Sequence, residues 1–209
     1  MNILAIGAHF DDVELGCGGT IARHCRENDN VTIFVATNSG FTDYAQKVIR
    51  KPEIALAEGK QAAEILGVKN LICGNLPTND LEFNDALACQ LLEIIETENI
   101  EMIYTHWDGD THHDHQNLAR ASLAAGRHVP RMLMYRSNYY DSTHSFHGHY
   151  YVDITDTVEI KTNAIKAHES EFGRIGDKWL QFFLTQNQND GQKIGVQFAE
   201  TFQIVKYLR

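Results

Sequence analysis

The apolar positions of this chain gather into short continuous runs. Ile3-Leu4-Ala5-Ile6, Val31 to Ala36, Asn70 to Cys73, Ile100 to Thr105 and Met132 to Tyr135 each have strand length, and several are rich in β-branched residues. The segments between them keep helical spacing. Gly16 to Glu27 reads as a helix. Ile54 to Leu66 carries Ala57, Ala62, Ile65 and Leu66 at helical intervals and is closed by Gly67, a natural C-terminal stop. Asp85 to Glu98 places Leu87, Leu91, Ile94 and Ile95 on one face, and His115 to Ala125 forms a further helix ending at Gly126. Continuous apolar strands separated by helices predict βαβ units: an α/β fold of three layers with a mostly parallel central sheet covered on both faces. After Arg136 the pattern changes. Tyr150 to Ile154 and Ile194 to Phe198 predict extra strands, and Thr157 to Glu171 a helix. No repeat or low-complexity linker interrupts the chain. Residues 1–209 are therefore expected to form one domain, with 138–209 as a C-terminal subregion of it.

Composition narrows the partners. The chain has 18 Lys and Arg against 28 Asp and Glu, a formal net charge of −10, and no basic run. That balance suits neither a phosphate backbone nor an anionic bilayer, so no nucleic acid is expected as partner. No segment approaches the roughly 18 apolar residues of a membrane span. The N-terminus has neither the basic region nor the cleavage pattern of a signal peptide. Cys17, Cys25, Cys73 and Cys89 form no CxxC pair, so reduced thiols and a cytoplasmic location are expected.

Histidine is the unusual component. Eight of the 11 fall between His106 and His149. In an open α/β sheet, ligands bind beyond the carboxyl ends of the strands, and polar clusters follow three of them. His9-Phe10-Asp11-Asp12 follows the first strand, Thr37-Asn38-Ser39-Gly40 the second, and His106 to His115 the fourth.

Three readings of the first turn compete. A dinucleotide fingerprint would need its glycines at the turn, but Gly16-Cys17-Gly18-Gly19 comes late and carboxylates that would repel a pyrophosphate occupy the turn itself. Helix capping accounts for one aspartate. It leaves His9, the second acid and Glu14 unexplained. The third reading is a metal site: a histidine and a carboxylate on one turn can reach one cation, while the adjacent carboxylate, pointing elsewhere, faces water as a general base.

The segment from His106 to His115 carries four histidines and three acids. A solvated polar loop is the bland alternative. His112 and His115 lie three apart at a helix start and so on neighbouring positions of one face. One can be a ligand while the other points at substrate, and Asp110 or Asp114 can orient a ring through its second nitrogen. The two motifs are about 100 residues apart, yet both follow strands at one sheet edge. Nitrogen and oxygen donors without thiolates suit Zn²⁺, with Mn²⁺, Fe²⁺ or Co²⁺ also compatible.

These residues resemble the LmbE/PIG-L family of zinc-dependent N-deacetylases. The stretch Ala8-His9-Phe10-Asp11-Asp12-Val13-Glu14-Leu15-Gly16-Cys17-Gly18-Gly19 matches that family's first signature with only a proline changed, to Phe10. Asp110-Thr111-His112-His113-Asp114-His115 matches the second. Weaker similarity extends over Glu58 to Val68, Tyr151 to Thr155, Ala167 to Ser170 and Ala199 to Phe202. The resemblance implies a Rossmann-like fold, with His9, Asp12 and His115 as metal ligands and Asp11 as general base on the metal-bound water. His112 would stabilise the oxyanion or protonate the leaving amine, and Asp114 would support it. It also implies a homo-oligomer and, as partner, a small-molecule N-acetylated sugar or sugar conjugate. Trp107, Tyr139, Tyr140 and Trp179 are candidate sugar platforms. Hydrolysis of a non-sugar N-acyl compound is the alternative, and a non-catalytic metal-binding protein the third reading.

The chain also departs from the family pattern. Ala55 stands where many relatives have a substrate-binding arginine, and Arg50 lies nearby but out of register. Phe10 is expected to alter the pocket wall without removing a ligand. His113 replaces a common proline and is expected at the pocket or surface. Gly148 replaces another, in a loop whose His144, His147 and His149 have no assigned role, as is also true of His168.

Overall fold

The computed structural model describes residues 1–209. The strands are β1 (Asn2–Gly7), β2 (Asn30–Thr37), β3 (Phe41–Thr42), β4 (Val48–Arg50), β5 (Asn70–Leu76), β6 (Met102–His106), β7 (Arg131–Tyr135), β8 (Tyr150–Asp153) and β9 (Ala199–Tyr207). The helices are α1 (Asp12–Arg26), α2 (Pro52–Leu66), α3 (Asp85–Thr97), α4 (His113–Ala125), α5 (Val158–Lys166), α6 (Glu169–Ile175) and α7 (Asp177–Ile194). Seven strands form one sheet in the order β5-β2-β1-β6-β7-β9-β8. The first five are parallel, and β9 runs antiparallel to both β7 and β8. β3 and β4 make a small separate ribbon.

Alternation along β1 divides the core. Ile3 and Ala5 pack with α1, α2 and α5, whereas Leu4 and Ile6 pack with α3 and α4 on the other face. Strand order reverses at β1, which pairs with β2 on one side and β6 on the other, so a crevice opens beyond Gly7 and His106. No helix is long and apolar enough to cross a membrane.

The α/β architecture and its mostly parallel sheet agree with the sequence pattern, but several boundaries move. α1 begins at Asp12 rather than Gly16, because the acidic motif itself forms the first helical turn. The segment expected as one helix over Thr157 to Glu171 is two helices, separated at His168, whose ψ of 62 is not helical. Ile194 to Phe198 is no strand. Gly195, at φ 79, ends α7 and turns the chain into β9. The ribbon and α7 were not legible: β3 is two residues long, and the only large apolar residues α7 buries are Trp179, Leu180 and Phe183, in an amide-rich sequence.

α1 is broken at Cys17, whose φ of −146 is far from helical. The break frees backbone groups in the interior, which must find partners. Lys161 and Glu200 supply them. Both are fully buried and lie 2.6 Å apart. Lys161 Nζ donates to the Leu15 carbonyl at 2.8 Å, and Glu200 accepts from the Gly19 and Thr20 amides at 3.0 and 2.7 Å. Gly16, just before the break, faces the Tyr135 ring so closely that a Cβ would stand 2.1 Å from it. Glu200→Ala leaves the buried Lys161 ammonium without a counter-charge and the Gly19 and Thr20 amides without an acceptor. It is expected to cost about 3–5 kcal/mol in urea unfolding, and Lys161→Met in that background to recover part of the loss.

Candidate metal centre and active site

β1 and β6 end side by side, and their turns are stitched together. The Ala8 amide donates to His106 Nε2 at 3.0 Å, so that nitrogen is unprotonated and the ring is neutral. Burial, then the charge of His115, lowers the His106 pKa to about 4, in agreement. His106 is thus a fully buried brace, stacked on His115 at 4.0 Å between ring centroids.

His9, Asp12 and His115 converge beside it. His9 Nδ1 and His115 Nε2 face each other at 3.3 Å. Asp12 Oδ2 lies 3.4 Å from the first and Asp12 Oδ1 lies 3.3 Å from the second. The far nitrogen of each ring meets another carboxylate: His9 Nε2 bonds Asp114 Oδ2 at 2.9 Å, and His115 Nδ1 stands 3.2 Å from Asp110 Oδ2. Imidazoles whose outer nitrogens rest on carboxylates while their inner nitrogens converge are the usual surroundings of a metal ion. Electrostatics point the same way. Burial works against a charged His9, but Asp114 and Asp12 outweigh it and carry its pKa up to about 9. Burial is likewise outweighed at His115, chiefly by Asp12 and Asp110, and its pKa rises to about 10. Two rings that favour positive charge point at one another, surrounded by three buried acids. A single cation between them and Asp12 resolves that conflict, and the donor set fits a divalent transition metal.

Asp11 is the N-cap of α1, with φ 132 and ψ −25. A residue with a side chain rarely adopts this conformation, and such strain concentrates at functional sites. Its carboxylate lines a cavity of about 340 Å³ together with His9, Asp12, His112 and His115. Burial, then the adjacent Asp12 charge, pushes the Asp11 pKa up to about 7, against the pull of Arg50, whose Nη1 lies 3.9 Å away. His112 lines the same cavity. It caps α4, its Nδ1 accepting the Asp114 amide at 3.2 Å, so the neutral ring carries its proton on Nε2. Burial, then His115 and His9, lowers its pKa to about 4.

All six sequence-predicted site residues therefore meet at one place, and Asp114 orients a ring through its second nitrogen, that of His9. Its fully buried carboxylate holds His9 and accepts from the Asn79 and Leu81 amides, at 2.8 and 3.1 Å. Its backbone N–H donates to His112 Nδ1 at 3.2 Å, so Asp114 holds His112 through the main chain. Phe10 is not a pocket-wall residue either. It is buried in the core against Gly59, where a Cβ would meet its ring at 2.2 Å. Arg50, out of register in sequence, is carried into the cavity by β4 and pairs with Glu58 at 2.8 Å. His168, aligned with Glu14 at 3.5 Å and Arg50 at 3.4 Å, lies buried behind the cavity. Tyr139, Tyr140 and Trp179 line the cavity, whereas Trp107 packs against Phe146. His113 is outside, bonded to Asp114 Oδ1. His147 lines a separate trough along α7. Ser39, Asn79, Asn138, Glu171 and Arg174 also line the site. Ser39 belongs to a polar strand end visible in the sequence, but nothing there pointed to the other four.

A family model described as "GlcNAc-PI de-N-acetylase", PIG-L, matches residues 4–126. The chain belongs to the PIG-L family. It is 37% identical over 144 residues to "Uncharacterized deacetylase YaiS" of Escherichia coli K12, covering 65% of this chain and 73% of YaiS. It is 27% identical to the diacetylchitobiose deacetylase of Thermococcus kodakarensis, over 97% of this chain and 82% of that enzyme. Among solved structures, N,N'-diacetylchitobiose deacetylase from Pyrococcus horikoshii superposes with TM-score 0.85 at 25% identity, covering 98% of this chain and 83% of that one. The Pseudomonas putida hydratase GalB shares the fold with TM-score 0.77 at 17% identity, over 100% of this chain and 97% of its own. The family relation and the histidine–carboxylate cluster are consistent in chemistry: His9, Asp12 and His115 could hold a metal ion.

If the Asp114 carboxylate orients His9, Asp114→Asn should weaken zinc binding by about 10–100-fold. Competition with a chromogenic chelator measures this, and unchanged affinity would contradict the assignment.

Proposed function

We propose that this protein is a zinc-dependent hydrolase that removes the N-acetyl group from an N-acetylated amino sugar or its conjugate. One observation carries the reading: Asp11 and His112 face one cavity beside the converging donors of His9, Asp12 and His115. His9, Asp12 and His115 would hold the metal, which supplies a Lewis acid for the amide carbonyl and lowers the pKa of water at the site.

The chain's own residues perform the rest. Asp11 takes the proton of the attacking water on its carboxylate. Burial and the adjacent Asp12 charge raise the proton affinity of that carboxylate, which favours its acting as a base. His112, neutral with its proton on Nε2, donates to the oxygen that gains negative charge as the tetrahedral centre forms. The proton held by Asp11 then passes to the departing nitrogen, leaving an amine and acetate. Tyr139, Tyr140 and Trp179 offer ring faces to a sugar, and Asn79, Asn138, Arg50 and Arg174 offer hydrogen bonds to its hydroxyls. The sugar deacetylases among the relatives support this substrate class.

Zinc-loaded protein is expected to release acetate from N,N'-diacetylchitobiose or N-acetylglucosamine, read as loss of an acetyl group by mass spectrometry. Turnover of N-acyl amino acids but of no sugar would overturn the substrate class. Asp11→Ala should keep zinc and lose about 10²–10⁴-fold in turnover, whereas His115→Ala should lose zinc. An Asp11→Ala protein that works at the parent rate would remove Asp11 as base.

A further inference from the structure

Where the family signature has proline, this chain has Phe10 and with it a backbone N–H that proline lacks. That N–H is buried and donates to Ser39 Oγ at 2.8 Å. The Phe10 carbonyl accepts from Arg50 Nη1 at 3.1 Å. The ring is fixed against Gly59. Both peptide groups and the side chain of the residue before Asp11 are therefore tied down. Ser39 is itself secured: it is buried, has φ 55, and its amide donates to Thr37 Oγ1 at 3.2 Å. The Thr37 hydroxyl in turn donates to the Ala8 carbonyl at 2.7 Å. The end of β2 is thus laced to the end of β1 on either side of His9.

The next residue in the chain is Asp11, at φ 132. A side-chain-bearing residue stays in such a conformation only where its surroundings over-determine it. We infer that Ser39 is a positioning residue for the Asp11 carboxylate, its hydroxyl oxygen holding by a hydrogen bond the turn that a proline ring would otherwise stiffen. The inference rests on Asp11 being the base. Arg50 and Gly59 hold the carbonyl and ring of Phe10, and Ser39 makes the contact that needs the Phe10 N–H, a group proline lacks. Its serine oxygen lines the cavity as well, so positioning must be separated from contact with substrate.

Kinetics of the zinc-loaded protein on N,N'-diacetylchitobiose make that separation. Ser39→Ala is expected to lower kcat on the order of tenfold, with KM and zinc content unchanged, since misplacing a reacting group slows the step without weakening binding. In a Phe10→Pro background there is no N–H to hold, and adding Ser39→Ala should cost nothing further. Amide hydrogen exchange at Phe10, faster in Ser39→Ala than in the parent, reads the bond directly and does not require the proline variant to fold. Full kcat in Ser39→Ala, a rise in KM in place of the fall in kcat, or unchanged exchange at Phe10 would overturn the inference. Parental turnover in Asp11→Asn would overturn the base assignment and the inference with it. An inactive Asp11→Asn beside a fully active Ser39→Ala would leave the base standing and remove Ser39 alone.

Discussion

The pairing of β1 with β6 is the constraint on which the site depends. Ile3, Leu4 and Ala5 lie opposite Met102, Ile103 and Tyr104, so the two strands end at the same level and their turns emerge together. Parallel strands need a crossover between them, and here the crossover contains most of the first half of the chain. His9 and His115, 106 positions apart, become neighbours because their strands are neighbours. The bond from the Ala8 amide to His106 Nε2 fixes the two turns against each other. It also commits His106 to a neutral, non-ligating role despite its place beside Asp12.

Burying so much acid beside that junction needs compensation. Asp12, Asp110 and Asp114 are all nearly or fully buried. An isolated carboxylate in such surroundings would neutralise itself. Asp110 and Asp114 stay ionised through backbone amides and histidines. Asp12 faces two converging imidazoles, an arrangement that calls for a shared cation. Asp11, one residue earlier and turned into the cavity, shares less of that positive field. Adjacent acids thereby acquire opposite proton affinities, Asp11 raised and Asp12 lowered. α1 accommodates the arrangement by breaking at Cys17, and the Lys161–Glu200 pair satisfies the groups the break exposes.

The legible parts of the fold were the continuous strands and helices with clear spacing, such as Val31 to Ala36 and the face of Leu87, Leu91, Ile94 and Ile95. Elements held by tertiary contacts were misread or missed. The division at His168, a buried residue with ψ 62, is not marked by local composition. α7 has an apolar face too narrow to announce itself. The two compact motifs singled out His9, Asp11, Asp12, His112, Asp114 and His115, which the fold gathers at one sheet edge. Their mutual orientation was not legible: the partner of the Asp114 carboxylate depends on where the loop carrying Asn79 and Leu81 crosses α4.

The sequence by itself determined the α/β class, the two turns that carry the chemistry and the donor types they offer, since each is a property of a local run of residues. Only the tertiary structure decided that Asp114 serves His9, that Phe10 belongs to the core, and that Arg50 and Ser39 reach the cavity. Those outcomes depend on the pairing of distant strands and on the direction each side chain takes once its backbone is held. Neither is encoded within one segment of chain. Phe10 shows the difference most plainly. As a letter it marks only a lost proline, while in the fold it supplies the N–H that Ser39 holds.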